Sequence, residues 1–315
     1  MGIASGLESQ WGFSAESTAG TRVTPATFLP YTSESIKHGI PRIVSKGLRA
    51  GRRTQSVWRA GAQSVAGGVN FELAPQGLTK IGKWMMGGIS SSGTGPYTHV
   101  LTPSTLDDEY MSMQFNKPDE SGTNRMFDIY GAQCTDWSIG LKINEFAMAT
   151  VNLVAMEANY AQTLASASYP TGWLPFAYTS GSLTIAGSAY EPEEITITGN
   201  NGLATNRHRI RSTTPQWPVQ AREAAFRQYG GTLNGDFFSL TAYNRFVAGT
   251  EASLSLVLSD GASASLTIAG NVRFDGDTPN VGGDAMIKQA LPFVFTSGTS
   301  DAAAITLTLV NSDAS

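Results

Sequence analysis

The fold is decided by Leu254-Ser255-Leu256-Val257-Leu258 and by the two segments before it, Gly230-Gly231-Thr232-Leu233-Asn234 and residues 240–247. Residues 254–258 alternate apolar and polar side chains, which predicts a β-strand, and residues 230–234 are predicted as a strand that contains glycine. Residues 240–247 have apolar side chains at spacings of three and four: Leu240, Tyr243, Phe246 and Val247. This spacing predicts an amphipathic helix, which Gly249 then ends.

The same strand–helix–strand unit occurs earlier in the chain. Thr79-Lys80-Ile81-Gly82-Lys83-Trp84-Met85-Met86-Gly87 aligns with residues 241–249, and Gly67-Gly68-Val69-Asn70-Phe71 precedes it as residues 230–234 precede the later helix. Further matches follow in the same order: 111–115 with 254–258, 129–132 with 268–271, Gly47-Leu48 with Gly202-Leu203, and 28–33 with 173–180. The offset varies by roughly 20 residues, as insertions in surface loops would cause. We therefore predict an internal duplication.

Most other periodic segments also alternate with period two, and turn-forming residues separate them. The predicted fold is mainly β, with two tandem β-sandwich or barrel modules that each carry one short flanking α-helix. We expect the modules at residues 31–165 and 171–315, with the boundary in a stretch of small residues that ends at Tyr169-Pro170.

The composition narrows the function. The chain has 315 residues, a formal net charge of −4 and only 15% charged residues. A free-standing nucleic-acid binder should have a basic excess, and the apolar runs are far shorter than the ~20 residues that cross a bilayer, so we expect no membrane insertion. A surface with so few charges is poorly protected against association. This composition favours a protein whose surface is covered by other copies of the same chain.

No group of residues has the pattern of a catalytic or metal site. His38, His99 and His208 have no carboxylate or thiol at metal-ligand spacing, and Cys134 is better explained as a buried apolar residue. Residues 275–280 resemble a calcium loop faintly, but Asn280 and Met286 stand where an EF-hand needs Gly and Glu. We therefore expect no enzyme, no cofactor and no metal.

Two basic loops and one acidic run are the candidate contact surfaces. The basic loops contain arginines with tryptophans among them: Lys46, Arg49, Arg52, Arg53, Trp58 and Arg59, then Arg207, Arg209, Arg211, Trp217 and Arg222. Arginine and tryptophan are enriched both where proteins contact phosphates and at the centres of protein interfaces. The acidic net charge of the chain favours protein–protein contact over phosphate contact for these loops. The acidic run is Asp107, Asp108 and Glu109, for which a solvated face is the ordinary explanation.

The opening residues Gly6-Leu7-Glu8-Ser9-Gln10-Trp11-Gly12-Phe13 resemble the start of the major tail tube proteins of long-tailed bacteriophages. So do Phe28-Leu29-Pro30, Leu48-Arg49-Ala50-Gly51-Arg52-Arg53 and Tyr243-Asn244-Arg245-Phe246. The resemblance covers most of the chain. It implies a structural virion protein, assembled in the host cytoplasm, that forms stacked rings through whose lumen DNA passes without specific binding.

The resemblance also implies partners and roles. The partners are further copies, the tail tip, the tape-measure protein and the tail terminator. A loop at about residues 46–65 and an N-terminal arm, residues 1–30, would hold the adjacent ring. Many tube rings contain six copies of one sandwich, so two sandwiches per chain predict a ring of three chains, with a six-chain ring as the alternative. We expect a lumen wall without fixed clusters of Lys and Arg, with Asp107, Asp108 and Glu109 as candidates for it.

Two other functions stay open at this point. Another β-rich virion protein, such as a connector or a fibre segment, would have a similar composition. A carbohydrate-binding module would use tryptophans to stack on sugars, and the chain has six: Trp11, Trp58, Trp84, Trp137, Trp173 and Trp217.

Overall fold

Two short helices lie where the apolar spacing predicts them, which confirms both predictions. Helix α1 is Leu78–Met86 and α2 is Leu240–Ala248. Gly77 and Gly87 bracket α1 with φ of 76° and 88°, values that favour glycine, and the Gly87 N–H donates to the Lys83 carbonyl. Neither of these helices is long and apolar enough to cross a membrane.

The computed structural model describes residues 5–314 except residues 56, 212–214, 238–239, 262, 277, 279–280, 282–283 and 285. Strands dominate this part of the chain. They are β1 (Gln10–Ala15), β2 (Thr27–Phe28), β3 (Ser33–Glu34), β4 (Lys37–Gly39), β5 (Arg42–Val44), β6 (Trp58–Ala60), β7 (Ser64–Glu72), β8 (Gly87–Ser92), β9 (Tyr97–Pro103), β10 (Met111–Asn116), β11 (Met126–Lys142), β12 (Met148–Ala155), β13 (Glu157–Asn159), β14 (Gly181–Ile185), β15 (Ser188–Tyr190), β16 (Glu194–Asn200), β17 (Leu203–Ala204), β18 (Arg222–Glu223), β19 (Gln228–Asp236), β20 (Ala252–Ser259), β21 (Ser265–Phe274), β22 (Lys288–Phe295) and β23 (Thr306–Asn311).

One long antiparallel sheet runs through the whole molecule, and we call it the continuous sheet. Its order is β7–β12–β11–β16–β19–β22–β21, and the short strands β3 and β4 extend it beyond β7. Along these strands every second residue is buried, as in Val65, Val69 and Phe71 of β7. One face of the continuous sheet is therefore packed against the core, and we call the other the open face.

Two further sheets cover the buried face. The first has the order β2–β1–β10–β11–β13 and the second β15–β14–β20–β21–β23–β9–β8. Strands β11 and β21 each bend from a covering sheet into the continuous sheet. Trp11 of β1 lies 5.7 Å from Phe71 of β7, ring centre to ring centre, so the two layers pack as a sandwich. The fold class is thus mainly β, as predicted.

The strand pairings occur twice in the same order. In β1–β13, which we call the first module, β7 pairs with β12, β12 with β11, β11 with β10 and β10 with β1. In β14–β23, the second module, β19 pairs with β22, β22 with β21, β21 with β20 and β20 with β14. Each unit places its helix after the equivalent strand, α1 after β7 and α2 after β19.

The pairings also change two of the alignments made from the sequence. Leu203 stands three residues after Asn200 of β16, as Arg42 stands three after Gly39 of β4, so Leu203 is equivalent to Arg42 and not to Leu48. Strand β14 is equivalent to β1, so residues 173–180 precede the second module and do not match residues 28–33. Short edge strands carry too little apolar pattern to fix such offsets.

The N-terminal segment is largely packed on the first module. Strand β1 pairs with β10, and its side chains Trp11 and Phe13 are buried. Glu16 then accepts hydrogen bonds from the Gly131 amide, at 2.8 Å, and from the Ser112 hydroxyl, at 2.7 Å. Of the arm expected at residues 1–30, the part from Gln10 onward therefore lies on the body. Residues 6–8 form an exposed turn of 3-10 helix, and residues 1–4 lie outside the described part.

Two strand pairings join the modules. Strand β11 pairs with β16 from Asp136 to Lys142, and β9 of the first module pairs with β23 of the second. Polar side chains reinforce both joints. The Asn201 amide donates to the carbonyls of Met85 and Cys134, at 3.1 and 3.0 Å, and Asp313 accepts from the Gly77 amide at 2.7 Å.

Candidate functional site

The first basic loop is an exposed hairpin that stands apart from the three sheets. Strands β5 and β6 pair only with each other within the described residues, and the Arg42 guanidinium lies 4.9 Å from the centre of the Trp58 ring. The predicted contact residues are all exposed here: Lys46, Arg49, Arg52, Arg53, Trp58 and Arg59. None of these cations forms an ion pair with another described residue. The hairpin is therefore available to a partner.

The second basic loop, between β17 and β18, lies on the first module instead. Trp217 stacks on His38 at 4.9 Å, and the Gln63 amide donates to the Gln216 carbonyl at 2.9 Å. Arg207 donates to the carbonyl of Gln220, and Arg211 to that of Trp217. Arg209 is exposed. Much of this loop therefore connects the two modules of one chain.

The acidic run lies at the same joint between modules. Asp107 forms an ion pair with Arg222 at 2.8 Å, and Glu109 forms one with Lys83, also at 2.8 Å. The Leu106 amide donates to Glu223 at 2.9 Å, and Asp108 is exposed. None of the three predicted lumen residues lies on a strand of the continuous sheet. Sequence reasoning treated them as free carboxylates because Arg222 is far away along the chain.

The open face is a surface that sequence reasoning did not single out. Its exposed side chains form rows across the strands, and most of them are small and neutral. The central row runs Asn70, Thr150, Ser138, Thr198, Gly230, Val294 and Arg273. One neighbouring row runs Gly68, Asn152, Asp136, Asn200 and Gln228, and the other runs Glu72, Met148, Gly140, Thr196, Thr232 and Pro292. The alternate polar residues of these strands were the signal that could have identified it.

Hydrogen bonds between neighbouring side chains hold the polar groups of the open face. The Thr150 hydroxyl donates to the Asn70 amide oxygen at 2.6 Å, and Asn152 donates to Asp136, also at 2.6 Å. A polar group that already has a partner on the wall has less to offer a passing molecule.

The strands of the continuous sheet carry four exposed cations within the described residues: Lys37, Lys142, Arg273 and Lys288. Lys142 and Lys288 lie at one end, whereas Arg273 continues the central row beyond Val294 and forms an ion pair with Glu251 at 3.2 Å. Lys142 is 3.9 Å from Glu145. Asp236 and Glu193 both contact Lys288, and their hydrogen bonds raise the pKa of this ammonium group. The middle strands of the open face are thus neutral to acidic, and the cations lie at one end and on the outermost strands β4 and β21, which leaves a DNA backbone few cations to bind.

The remaining candidates from the sequence do not converge on one place. Trp11, Trp84 and Trp137 are buried in the core and are not available to stack on a sugar. Cys134 is also buried, which raises the pKa of its thiol well above the ordinary value. Within the described residues, no group of three or more His, Cys, Asp or Glu is placed to hold a metal ion. Asp277, Pro279 and Asn280 of the calcium-like stretch lie outside those residues.

Comparison with known proteins identifies the family. The model of a family described as phage tail tube protein matches residues 6–314. A search of curated proteins finds no match. Because the family model covers nearly the whole chain, the chain belongs to the phage tail tube protein family. It is therefore a structural component of the virion, as the resemblance of its motifs implied.

Proposed function

We propose that this member of the phage tail tube protein family assembles into rings of three chains, which stack into a tube that conducts DNA. The observation that carries the proposal is the repeated set of strand pairings, which leaves two unpaired sheet edges that match each other. The proposed role is structural and non-catalytic.

The joint between the two modules provides the template for the joint between chains. After Ala132, where the pairing of β11 with β10 ends, the same edge of β11 pairs with β16. Strand β21 has the equivalent edge after Val272, where its pairing with β20 ends. Its two residues there, Arg273 and Phe274, have no strand partner on that edge among the described residues. The first-module equivalents of β16 are β3 and β4, whose outer edges are also unpaired in the described chain. We expect β21 of one copy to pair with β3 and β4 of the next.

The number of strands favours three chains per ring. Each chain contributes seven strands to the continuous sheet, plus the position shared by β3 and β4. Three copies supply about 24 strands, and a barrel of that size with a tilt of about 40° has a backbone radius of about 24 Å. This leaves a channel wider than a DNA duplex after side chains are added. Six copies would double the radius to about 48 Å, far more than passage requires.

The open face of the continuous sheet would form the lumen wall. Its rows are neutral or acidic on the middle strands, and Arg273 at the β21 edge is paired with Glu251. A duplex would therefore slide past with little of the counterion release that makes DNA stick to Lys and Arg. The exposed β5–β6 hairpin, with its loop from residue 45 to 57, would then contact a neighbouring ring, together with residues 5–9. The ends of the finished tube would meet the tail tip and the tail terminator, and the tape-measure protein would occupy the lumen during assembly.

Electron microscopy of the purified chain over a concentration series tests the assembly. We expect rings, and then tubes, with three chains per ring, measured from class averages and from the mass per unit length. A ring of six chains would contradict the trimer, and a protein that stays monomeric at every concentration would contradict the self-assembly.

Substitution on the open face tests the lumen. Ser138→Arg places a cation in the central row, and three copies per ring would give each ring three. We expect tubes of this variant to retain short duplex DNA at low salt, whereas wild-type tubes do not. Asp301→Arg, on an exposed turn outside the continuous sheet, is the matched control and should leave DNA retention unchanged. Equal retention by both variants would place Ser138 outside the lumen.

A further inference from the structure

The two equivalent helices differ sharply in exposure. Leu78 of α1 is 4% exposed, but Leu240 at the equivalent position of α2 is 57% exposed. Met85 is 2% exposed, and its equivalent Val247 is 65% exposed. Trp84 is buried, whereas Phe246 is only half-buried. Helix α2 thus presents an apolar face that α1 keeps covered, and an exposed apolar face of this kind marks an interaction surface.

Helix α1 packs on β8, β9 and β11 of the first module, and the second module adds hydrogen bonds at both of its ends. At the C-terminal end of the helix, the Asn201 side chain donates to the Met85 carbonyl at 3.1 Å. At the N-terminal end, Asp313 accepts from the Gly77 amide, and Asn311 donates to the Thr79 hydroxyl at 3.1 Å. Helix α2 packs on β21 and is followed by β20, without a counterpart of the β8–β9 pair that packs on α1, so its apolar face is left open in the described chain.

The strand register identifies the residue that corresponds to Asn201. Asn200 pairs with Gln228, the first residue of β19, and Gly39 pairs with Ser64, the first residue of β7. The residue after Gly39 is Ile40, so Ile40 is to the first module what Asn201 is to the second. Ile40 is 52% exposed. At the joint within the chain, the Asn201 side chain contacts the Met85 carbonyl. The equivalent positions at the proposed joint between chains hold Ile40 and Val247, which are both exposed.

We propose that the apolar face of α2 is the docking surface for a second copy of this chain, whose Ile40 packs against Val247. The inference rests on the proposed ring and adds the side chains that hold it. Two apolar side chains replace the hydrogen bond between Asn201 and the Met85 carbonyl. The exchange favours association between chains, because burial of apolar surface needs no exact donor–acceptor geometry. Head-to-tail contacts of this kind close into a ring.

Charge substitution at the two positions tests the contact in the full-length protein. Val247→Asp should raise the concentration needed for ring formation by about tenfold or more, because a carboxylate would be buried against Ile40 without a partner. Ile40→Lys should do the same. The double variant should recover ring formation, because the ammonium and the carboxylate then face each other. Leu174→Asp, which alters an exposed leucine of the linker before the second module, is the matched control and should assemble as the wild type does.

The measurements are light scattering after size exclusion and electron microscopy, with circular dichroism to confirm that each variant is folded. If Val247→Asp assembles at the wild-type concentration, the inference is overturned while the ring stands. If the double variant stays dispersed, Ile40 and Val247 do not meet, which also overturns it. If the wild type itself never forms rings, the proposed function fails first.

Discussion

Replacement of Asp313 by alanine should weaken the joint between the C-terminal strand and the first module. One oxygen of Asp313 accepts from the Gly77 amide at 2.7 Å, from the Asn311 amide at 2.9 Å and from the Thr79 hydroxyl at 3.3 Å. The hydrogen bonds that the Asn311 side chain donates to the Thr79 hydroxyl and, at 2.7 Å, to the Pro75 carbonyl would remain. The Gly77 N–H and the Thr79 O–H, which donates to Asp313, would lose their acceptor.

The expected loss in the free energy of unfolding follows from these contacts. An amide left without a partner costs about 1–3 kcal/mol, and a carboxylate removed from a helix N-terminus costs about 0.3–1 kcal/mol more. We therefore expect Asp313→Ala to cost about 2–3 kcal/mol. With an unfolding entropy of about 2.1 cal/mol/K per residue, this corresponds to a fall in Tm of about 4 °C. Asp313→Asn keeps an acceptor and loses only the charge, so it should cost about 1 kcal/mol.

Urea unfolding monitored by circular dichroism measures both values, and hydrogen exchange of β23 shows whether the loss is local. Asp301→Ala, at an exposed carboxylate in the same region of the chain, is the control and should change stability by less than about 0.5 kcal/mol. A loss below 0.5 kcal/mol for Asp313→Ala, or an equal loss for alanine and asparagine, would refute the reasoning.

Three further predictions concern the core. Gly231→Ala should destabilise the protein by more than about 2 kcal/mol in urea unfolding, because the new Cβ would lie 2.1 Å from the Thr196 carbonyl oxygen. Gly140→Ala in the same sheet has 3.8 Å of room and should be tolerated; similar losses for the two would argue against the close approach at Gly231. Burial raises the pKa of Asp128, so this carboxyl should stabilise the fold fully below its unfolded value of 3.8 and lose that contribution as pH rises through the folded pKa. Carboxyl NMR should show a raised midpoint that Arg22→Ala, which removes the ion pair at 3.0 Å, raises further; a midpoint at the ordinary value would contradict this. Cys134 is buried and the pKa of its thiol is raised, so it should not react with a disulfide reagent at pH 8 until urea unfolds the chain, and a fast reaction in the folded protein would place it elsewhere.

The sequence predicted the strands and both helices because their signals are local. Residues 254–258 alternate with period two and lie in β20, and the apolar spacing of three and four marked the helices to within a residue. It also predicted a repeat, since the strand–helix–strand units resemble each other. It misplaced residues 47–48 and 28–33 within that repeat. A two- or three-residue strand such as β5 or β17 has no periodicity, and only its pairing with a neighbour fixes its place.

The candidate site was predictable only in part. The exposed β5–β6 hairpin, residues 42–60, overlaps the loop at about residues 46–65 that the family resemblance indicated. The acidic run at Asp107 and Glu109 lies between β9 and β10 and not on the open face, and it forms ion pairs with Arg222 and Lys83. The sequence shows how many charged side chains a segment has, but not which side chains of opposite charge lie next to them in the fold.

The sequence by itself determined that this chain is a mainly β protein of low charge built from two similar units, since periodicity and composition are properties of neighbouring residues. Only the tertiary structure decided which strands form the continuous sheet, which face of it stays open, and that α1 is covered while α2 is exposed. Those features depend on contacts between residues far apart in the chain, through which two units of similar sequence meet different neighbours. Strands β8 and β9 pack on α1, whereas α2 is followed by β20 without such a pair.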